Sequence, residues 1–520
     1  MNDGLIWRFK RGFWSRFSVR RFKLAKQRPI ELPEPNGRKL GLLPCREVHR
    51  DVPLSKVLVF DRLPKEENKL PMRALAAIAV GLNRLIPQTQ PNAEPISPSI
   101  DQALSSALTS NYRKVFRPPV LPDEFAGADR PDLAELATKS PYAVFLERVD
   151  GHFQWDFRQL GRYEHRSDAC SLGLRVVFDE VSADTPDVAS RLTVRHIDSD
   201  EFGCVMPGDP NWTTTARLAV CAASTHLAMT RHFNYVHLIC ANHWAVAARN
   251  HLRYNHPLYR LLWPHMANSL YTNYGITRGQ LRADGDFAHM FSFTHAGLID
   301  YFDTMYEQYP IAITDPVADR TRRGLDDVAF DTPSQRNLEE VFEVMHAHAR
   351  RYIDIYYESD EALRADDAVR SWLAALDATI PNGIGAVLGD GITRSGLARL
   401  IGGYIFEGNT MHDLAGTTLW DYQLWADKNP TLVLRNGKSV VVDVYQRVIN
   451  NNFGLQLKRA GLLDDYSYLA VDQRGAAAFH QFFDECKTLQ RRYDGALAGL
   501  DPGATTWCMQ PKNLEISMNG

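Results

Sequence analysis

The chain has no CxxC pair, and its seven cysteines (Cys45, Cys170, Cys204, Cys221, Cys240, Cys486 and Cys508) are odd in number. That pattern excludes a disulfide framework and reads as free thiols in a reducing compartment. No apolar run is long enough to span a bilayer, and no apolar stretch near the start resembles a signal peptide. A cytoplasmic location is the expectation. There is no GxSxG, which removes a serine-hydrolase elbow. There is no HExxH, the helical pair with its glutamate base that a zinc hydrolase needs. The loop text VLGDGITRSG lacks the lysine of a phosphate-binding loop. Charge of one sign is lacking too: 59 Lys and Arg stand against 62 Asp and Glu, a net charge of −3. Nothing in the whole-molecule charge favours nucleic acid as a partner.

What is present is an ordinary globular composition, 45% hydrophobic and 23% charged over 520 residues, with ample core. Residues 1–28 differ from the rest. They hold nine basic residues against one acid, Asp3, and Trp7, Phe9, Phe13, Trp14, Phe17 and Phe22 are interleaved among them. Phe9, Phe13 and Phe17 recur at helical spacing. Such a segment can pack on the main body, or it can lie on an anionic membrane, with residues 5–26 as the contact. Residues 29–211 form an N-terminal part of proline-rich loops and short strands. MRALAAIAVGLNRLI reads as a helix before the loop text IPQTQPNAEPISPS and RPPVLPDE. AVFLERV, FQWDF, LGLRVVFDEV and RLTVRHI, between residues 143 and 200, read as strands. Residues 212–520 form a helical core, with periodic segments over 214–251, 257–272, 287–307, 336–357, 394–410 and 474–494. No internal repeat is found. The fold class is therefore mostly α, with long central helices and a small β element on the N-terminal side.

Histidine is the concentrated residue. Seven of the 17 histidines fall between His226 and His265, on text that reads as long helix. His232 and His237 stand five apart. On a regular α-helix five residues turn through about 500°, which leaves the two side chains roughly 140° apart and unable to share one ion. A π turn brings i and i+5 onto one face. The pair is thus either two unrelated histidines or a metal clasp on a bulged helix.

Several blocks, in order, resemble the catalytic domain of the lipoxygenases. DPNWTTTARLAVCAASTHLAMTRHFNYVH resembles the helix that ends in that family's paired iron histidines, and HPLYRLLWPH is close to its most recognisable decamer. NYGITRGQL, RYIDIYYESDEALRADDAVRSWLAAL, GNTMHDLAG, KNPT and the ending PKNLEISMNG resemble later segments. Together the blocks cover about 300 residues, from Trp212 to the end. The resemblance implies a lipoxygenase-like fold and a non-haem iron held by His232, His237 and His412. It implies hydrogen abstraction from a polyunsaturated fatty acid or similar apolar chain, followed by O2 addition. Leu281 takes the place of a leucine packed on the reactive carbon. Thr277 takes the place of a glycine or alanine that steers oxygen, or its hydroxyl bonds its own helix backbone. The β-rich text lies too close to the helices to be the β-sandwich lipid-binding domain of many eukaryotic members, and reads as part of a compact form.

The chain also departs from the family. Gly416 stands where asparagine, histidine or serine supplies a further iron ligand. Met518 aligns with the terminal isoleucine, and Asn519 and Gly520 follow it. The Gly520 carboxylate is a candidate ligand, and Glu407, Asn409, Asp413 or water are substitutes for the missing ones. These departures leave two alternatives beside the dioxygenase. One is a diverged lipoxygenase-fold oxygenase with another substrate or outcome. The other is an inactive binding protein that keeps the fold.

Overall fold

The computed structural model describes residues 30–33, 37–68, 119–126, 131–182, 190–416, 419–425, 428–435 and 460–518. The basic aromatic arm, the helix expected at 72–86, and Asn519 and Gly520 lie outside the described residues. Among the described residues, no helix is long and apolar enough to cross a membrane.

The helical body forms where the periodicity places it. Helix α1 spans Trp212–His226, a π-helical stretch Leu227–Ala241 follows without a break, and α2 spans Asn242–His251. Helix α3 covers Pro257–Met266, α4 Ser269–Gly275, α5 His295–Glu307, α6 Pro333–Tyr356, α7 Asp367–Thr379 and α8 Arg394–Phe406. A second π stretch, Ile276–Gln280, extends α4, and a third, Glu407–Met411, joins α8 to α9, His412–Ala415. The long C-terminal helix α10 is Gln473–Ala496.

Helix α6 shows how the sequence builds this body. Pro333 opens it, where its missing N–H costs nothing. Leu338, Val341, Phe342, Met345, Ala349, Tyr352 and Ile353 recur at spacings of three and four and are all buried. Burying each of the larger ones contributes roughly 1.5–3 kcal/mol. That face packs on α8 and α10. Caps fix the starts of its neighbours: Thr393 accepts from the Gly396 N–H at α8, and Asp472 from the Gly475 N–H at α10.

A five-stranded antiparallel sheet stands on the N-terminal side, in the order β3-β4-β5-β6-β7. Its strands are β3 Glu147–Val149, β4 His152–Asp156, β5 Leu174–Val181, β6 Arg191–Ser199 and β7 Gly203–Val205. A separate hairpin pairs β1, Leu42–Pro44, with β2, Leu58–Phe60. One row across the sheet, Trp155, Val176, Ile197 and Val205, is buried, and β5 and β6 pack on α1. The next row, Asp156, Arg175, Asp198 and Cys204, carries the opposite face, as the period of two requires.

Four local expectations change. AVF, read as strand, lies in a 3₁₀ turn, Pro141–Phe145, because Pro141 opens it and the Ser140 hydroxyl caps the Tyr142 N–H. The segments 257–272 and 287–307 are each two helices, the first broken where Asn268 takes a left-handed φ of 62° and the second between Met290 and His295. Helix α7 was not among the periodic segments; the Asp366 side chain caps its start.

Candidate metal centre

The π stretch after α1 is fifteen residues long and carries both His232 and His237. The wider turn brings positions five apart onto one face. Their Nε2 atoms stand 3.2 Å apart, and the ring centroids 4.8 Å. His412 arrives from a different part of the chain, directly after the third π stretch. Its ring centroid is 4.9 Å from that of His232 and 5.1 Å from that of His237. Ligand atoms of the three histidines all lie within 4.8 Å of one another, and all three side chains are buried.

Hydrogen bonds set the tautomers of His237 and His412, while His232 Nδ1 is buried with no hydrogen-bond partner. His237 Nδ1 donates to Asn273 Oδ1 at 3.0 Å, which leaves its Nε2 lone pair for the centre. Asn273 is itself fixed: its amide donates to the His237 carbonyl at 2.6 Å and to Asn242 Oδ1 at 2.7 Å. His412 Nδ1 donates to Asp413 Oδ1 at 3.0 Å, and Asp413 Oδ2 accepts the Glu515 N–H at 2.8 Å. His412 Nε2 is buried with no hydrogen-bond partner. Burial pushes His232 and His237 well below the usual imidazole range, and the neighbouring histidines push the same way. Buried acceptors that face one another are costly unless a cation lies between them. A three-imidazole set suits iron, zinc, copper or nickel. The residues therefore fit a non-haem metal, with backing partners of the kind that orient metal ligands.

Gly416 follows α9, and a β-carbon there would lie 2.7 Å from the His412 carbonyl oxygen and 3.0 Å from His232 Nε2. Asp413 serves His412 from behind, since its carboxylate is taken up by His412 Nδ1 and the Glu515 N–H. Glu407 lies outside the cluster of ligand atoms. Burial pushes its carboxyl up to about 8, while nearby Arg231 pulls it down. Asn409 is buried, with Oδ1 accepting from the Thr410 hydroxyl at 2.8 Å. Gly520 is outside the described residues, but the chain runs inward as far as Met518. The Ile516 carbonyl accepts from His265 Nδ1 at 2.9 Å, and Leu514 through Met518 are buried.

Thr277 and Leu281 lie on and just after the second π stretch, and both are buried. The Thr277 hydroxyl donates to the Asn273 carbonyl at 2.9 Å, so it is spent on its own helix. Leu281 N–H donates to the Ile276 carbonyl at 3.3 Å, an i to i+5 bond. Sequence reading missed Asn273 as the partner of His237. It also missed Phe233, which lies 4.6 Å from the His232 ring and packs on Phe287 at 4.5 Å. NYGITRGQL contained Asn273, but only the fold carries it to His237.

No family model matches the chain. Among curated proteins, it is 22% identical to a seed linoleate 9S-lipoxygenase-3 of Pisum sativum over 217 residues, 38% of this chain and 25% of that protein. It is 24% identical to a seed linoleate 9S-lipoxygenase of Glycine max over 206 residues, 36% of this chain and 24% of that protein. The matched stretch spans about a quarter of the length of these relatives. Among solved structures, a calcium-dependent 11R-lipoxygenase superposes with a TM-score of 0.75 at 15% identity, covering 98% of this chain and 80% of that one. A coral 8R-lipoxygenase superposes with a TM-score of 0.72 at 13% identity, covering 98% and 81%.

Proposed function

We propose, for a chain that has the lipoxygenase catalytic fold and resembles that family in sequence, the activity of a non-haem iron dioxygenase. Its substrate is a polyunsaturated fatty acid or a similar apolar chain, and its second substrate is O2. His232, His237 and His412 hold the iron through their Nε2 atoms. When bound, the iron supplies the one-electron chemistry that removes a hydrogen atom from a methylene flanked by double bonds. The protein's own part is positional. Asn273 and Asp413 hold protons on Nδ1 of His237 and His412, so that the facing nitrogens keep their lone pairs. Half-buried Phe233 beside the His232 ring, with buried Phe287 packed on it, makes one side of the centre aromatic. Leu281 packs against the substrate chain, and Thr277 sets the face from which oxygen arrives, by bulk alone because its hydroxyl is bonded to the helix.

The convergence of three buried imidazoles from two distant segments carries this reading. Elemental analysis of purified protein, with oxygen uptake on linoleate and arachidonate, tests it. Expected are iron at one per chain and a conjugated-diene hydroperoxide. Iron without uptake on either lipid would favour a second reading, a lipoxygenase-fold oxygenase of different substrate or outcome. Gly416 supports that alternative, since it removes one protein ligand and leaves no room for a side chain beside His232. A chain that binds no iron would be the inactive binding protein.

A further inference from the structure

A second cluster with metal-ligand chemistry lies on the outer face of the sheet, on elements the histidine centre does not use. His196 and Asp198 are two apart on β6, so both project to one face. Cys204 on β7 is the direct cross-strand partner of Asp198. Imidazole nitrogen, carboxylate oxygen and thiol sulfur from the three residues come within 4.8 Å of one another. His196 Nε2 is 3.5 Å from Asp198 Oδ2. All seven cysteines are free, and Cys204 is the exposed one; the other six are buried.

We propose that His196, Asp198 and Cys204 form a surface site for a divalent d-block cation of the zinc class. The mixed nitrogen, oxygen and sulfur donor set matches zinc and disfavours calcium or magnesium, which take oxygen ligands. His196 binds as neutral imidazole, Asp198 as carboxylate and Cys204 as thiolate. The Cys204 proton passes to solvent, so two anionic donors balance the two charges of the ion, and water fills the remaining position. Arg175 is the competitor. Its Nη2 lies 2.6 Å from Asp198 Oδ2 and its Nε 3.2 Å from the same oxygen. The sheet register gives it a second neighbour: Asp156 sits directly opposite Arg175 on the far side and feels its charge, though it is already paired with Arg158. Binding therefore moves Arg175, whose side chain is part-exposed, off Asp198 toward solvent and toward a carboxylate it shares with Arg158. The ion ties β7 to β6, ahead of the turn that leads into α1.

Cobalt(II) titration of the full-length protein tests the site, because a thiolate-to-cobalt charge-transfer band in the near ultraviolet needs a cysteine ligand. The iron-type centre has none, and the other six thiols are buried. Wild-type protein should give a saturable band that Cys204→Ser and His196→Ala both abolish, with far-ultraviolet circular dichroism unchanged. In parallel, zinc should slow alkylation of Cys204 at least about tenfold, equivalent to about 1.4 kcal/mol of binding. His196→Ala and Asp198→Asn should restore the free rate. Absence of the band in wild type overturns the site. So does zinc protection that persists equally in His196→Ala and Asp198→Asn, since the thiol alone would then account for it.

Discussion

Gly416 and His232 stand so close that a β-carbon on the glycine would lie 3.0 Å from His232 Nε2. The same β-carbon would lie 2.7 Å from the His412 carbonyl oxygen, which is backbone and cannot swing aside. The position is therefore closed to side chains unless a histidine or the α9 backbone moves. Gly416→Ala should shift one of them. The expected outcome is a fall in iron per chain and an overpacking cost of about 1–3 kcal/mol, read from elemental analysis and the urea midpoint. Wild-type iron content in the variant would mean that the site relaxes and the close approach is dispensable.

Asp413 and Asn273 hold their histidines in the ligating tautomer. Asp413→Asn can present its amide N–H to His412 Nδ1 in place of an acceptor, which would put the ring proton on the Nε2 that faces the centre. Asn273→Ala removes the acceptor at His237 altogether. Each should weaken iron affinity about 10–100-fold, the usual effect of losing a backing partner. A chelator-competition assay measures this, and wild-type affinity in both variants would show that tautomer control is unimportant here.

Acid should unfold this protein through histidines outside the centre. His226 and His243 are each lowered to about 3 by burial, with Arg231 adding to the effect at His226, and His265 is lowered to about 4 by burial. Unfolded, each titrates near 6.5. The unfolded chain therefore binds protons that the native protein refuses as pH falls below about 6.5 and down to the folded values. The stability these neutral histidines give is whole above that window and is lost on going down through it. The slope is about 1.4 kcal/mol per pH unit for each, or roughly 4 kcal/mol for the three together. Urea midpoints at neutral and mildly acid pH should differ accordingly; a flat profile would mean that the buried rings accept protons in place.

The chain end offers a separate test. The backbone is drawn inward by the Ile516 bond to His265 and by the Glu515 N–H on Asp413, and Met518 packs against Gly408. Removing Asn519 and Gly520 should lower iron retention and oxygen uptake if the terminal carboxylate is a ligand. Unchanged iron and activity after the truncation would show that the Gly520 carboxylate is not a ligand.

Much of this was legible along the chain because local periodicity dictates it. The 3.6-residue pattern gave α6, α8 and α10, since a helix that buries one stripe must repeat it. Alternation gave β4, β5 and β6 for the same reason. AVF was misread because a proline with a serine cap outweighs strand composition over three residues. The five-residue interval between His232 and His237 was informative in a different way: it is incompatible with a shared ligand on an α-helix, so it posed the question of a π turn. That question is answered by fifteen residues of π geometry.

By itself the sequence determined the helical class, the paired histidines and the absence of a ligating side chain at Gly416, because each is a property of residue type and spacing. Tertiary structure decided which acidic and amide groups serve the centre. Asp413, Glu407 and Asn409 were equal candidates on paper, all within five residues of His412. In the fold Asp413 turns to His412 Nδ1, Glu407 lies by Arg231, and distant Asn273 takes the place behind His237. The direction of a side chain on a buried helix depends on what packs around it, and here that comes from the 273–281 segment and the inward-running tail. The row of Asp156, Arg175, Asp198 and Cys204 was equally hidden, since cross-strand register is set by pairing between segments and not by any one of them.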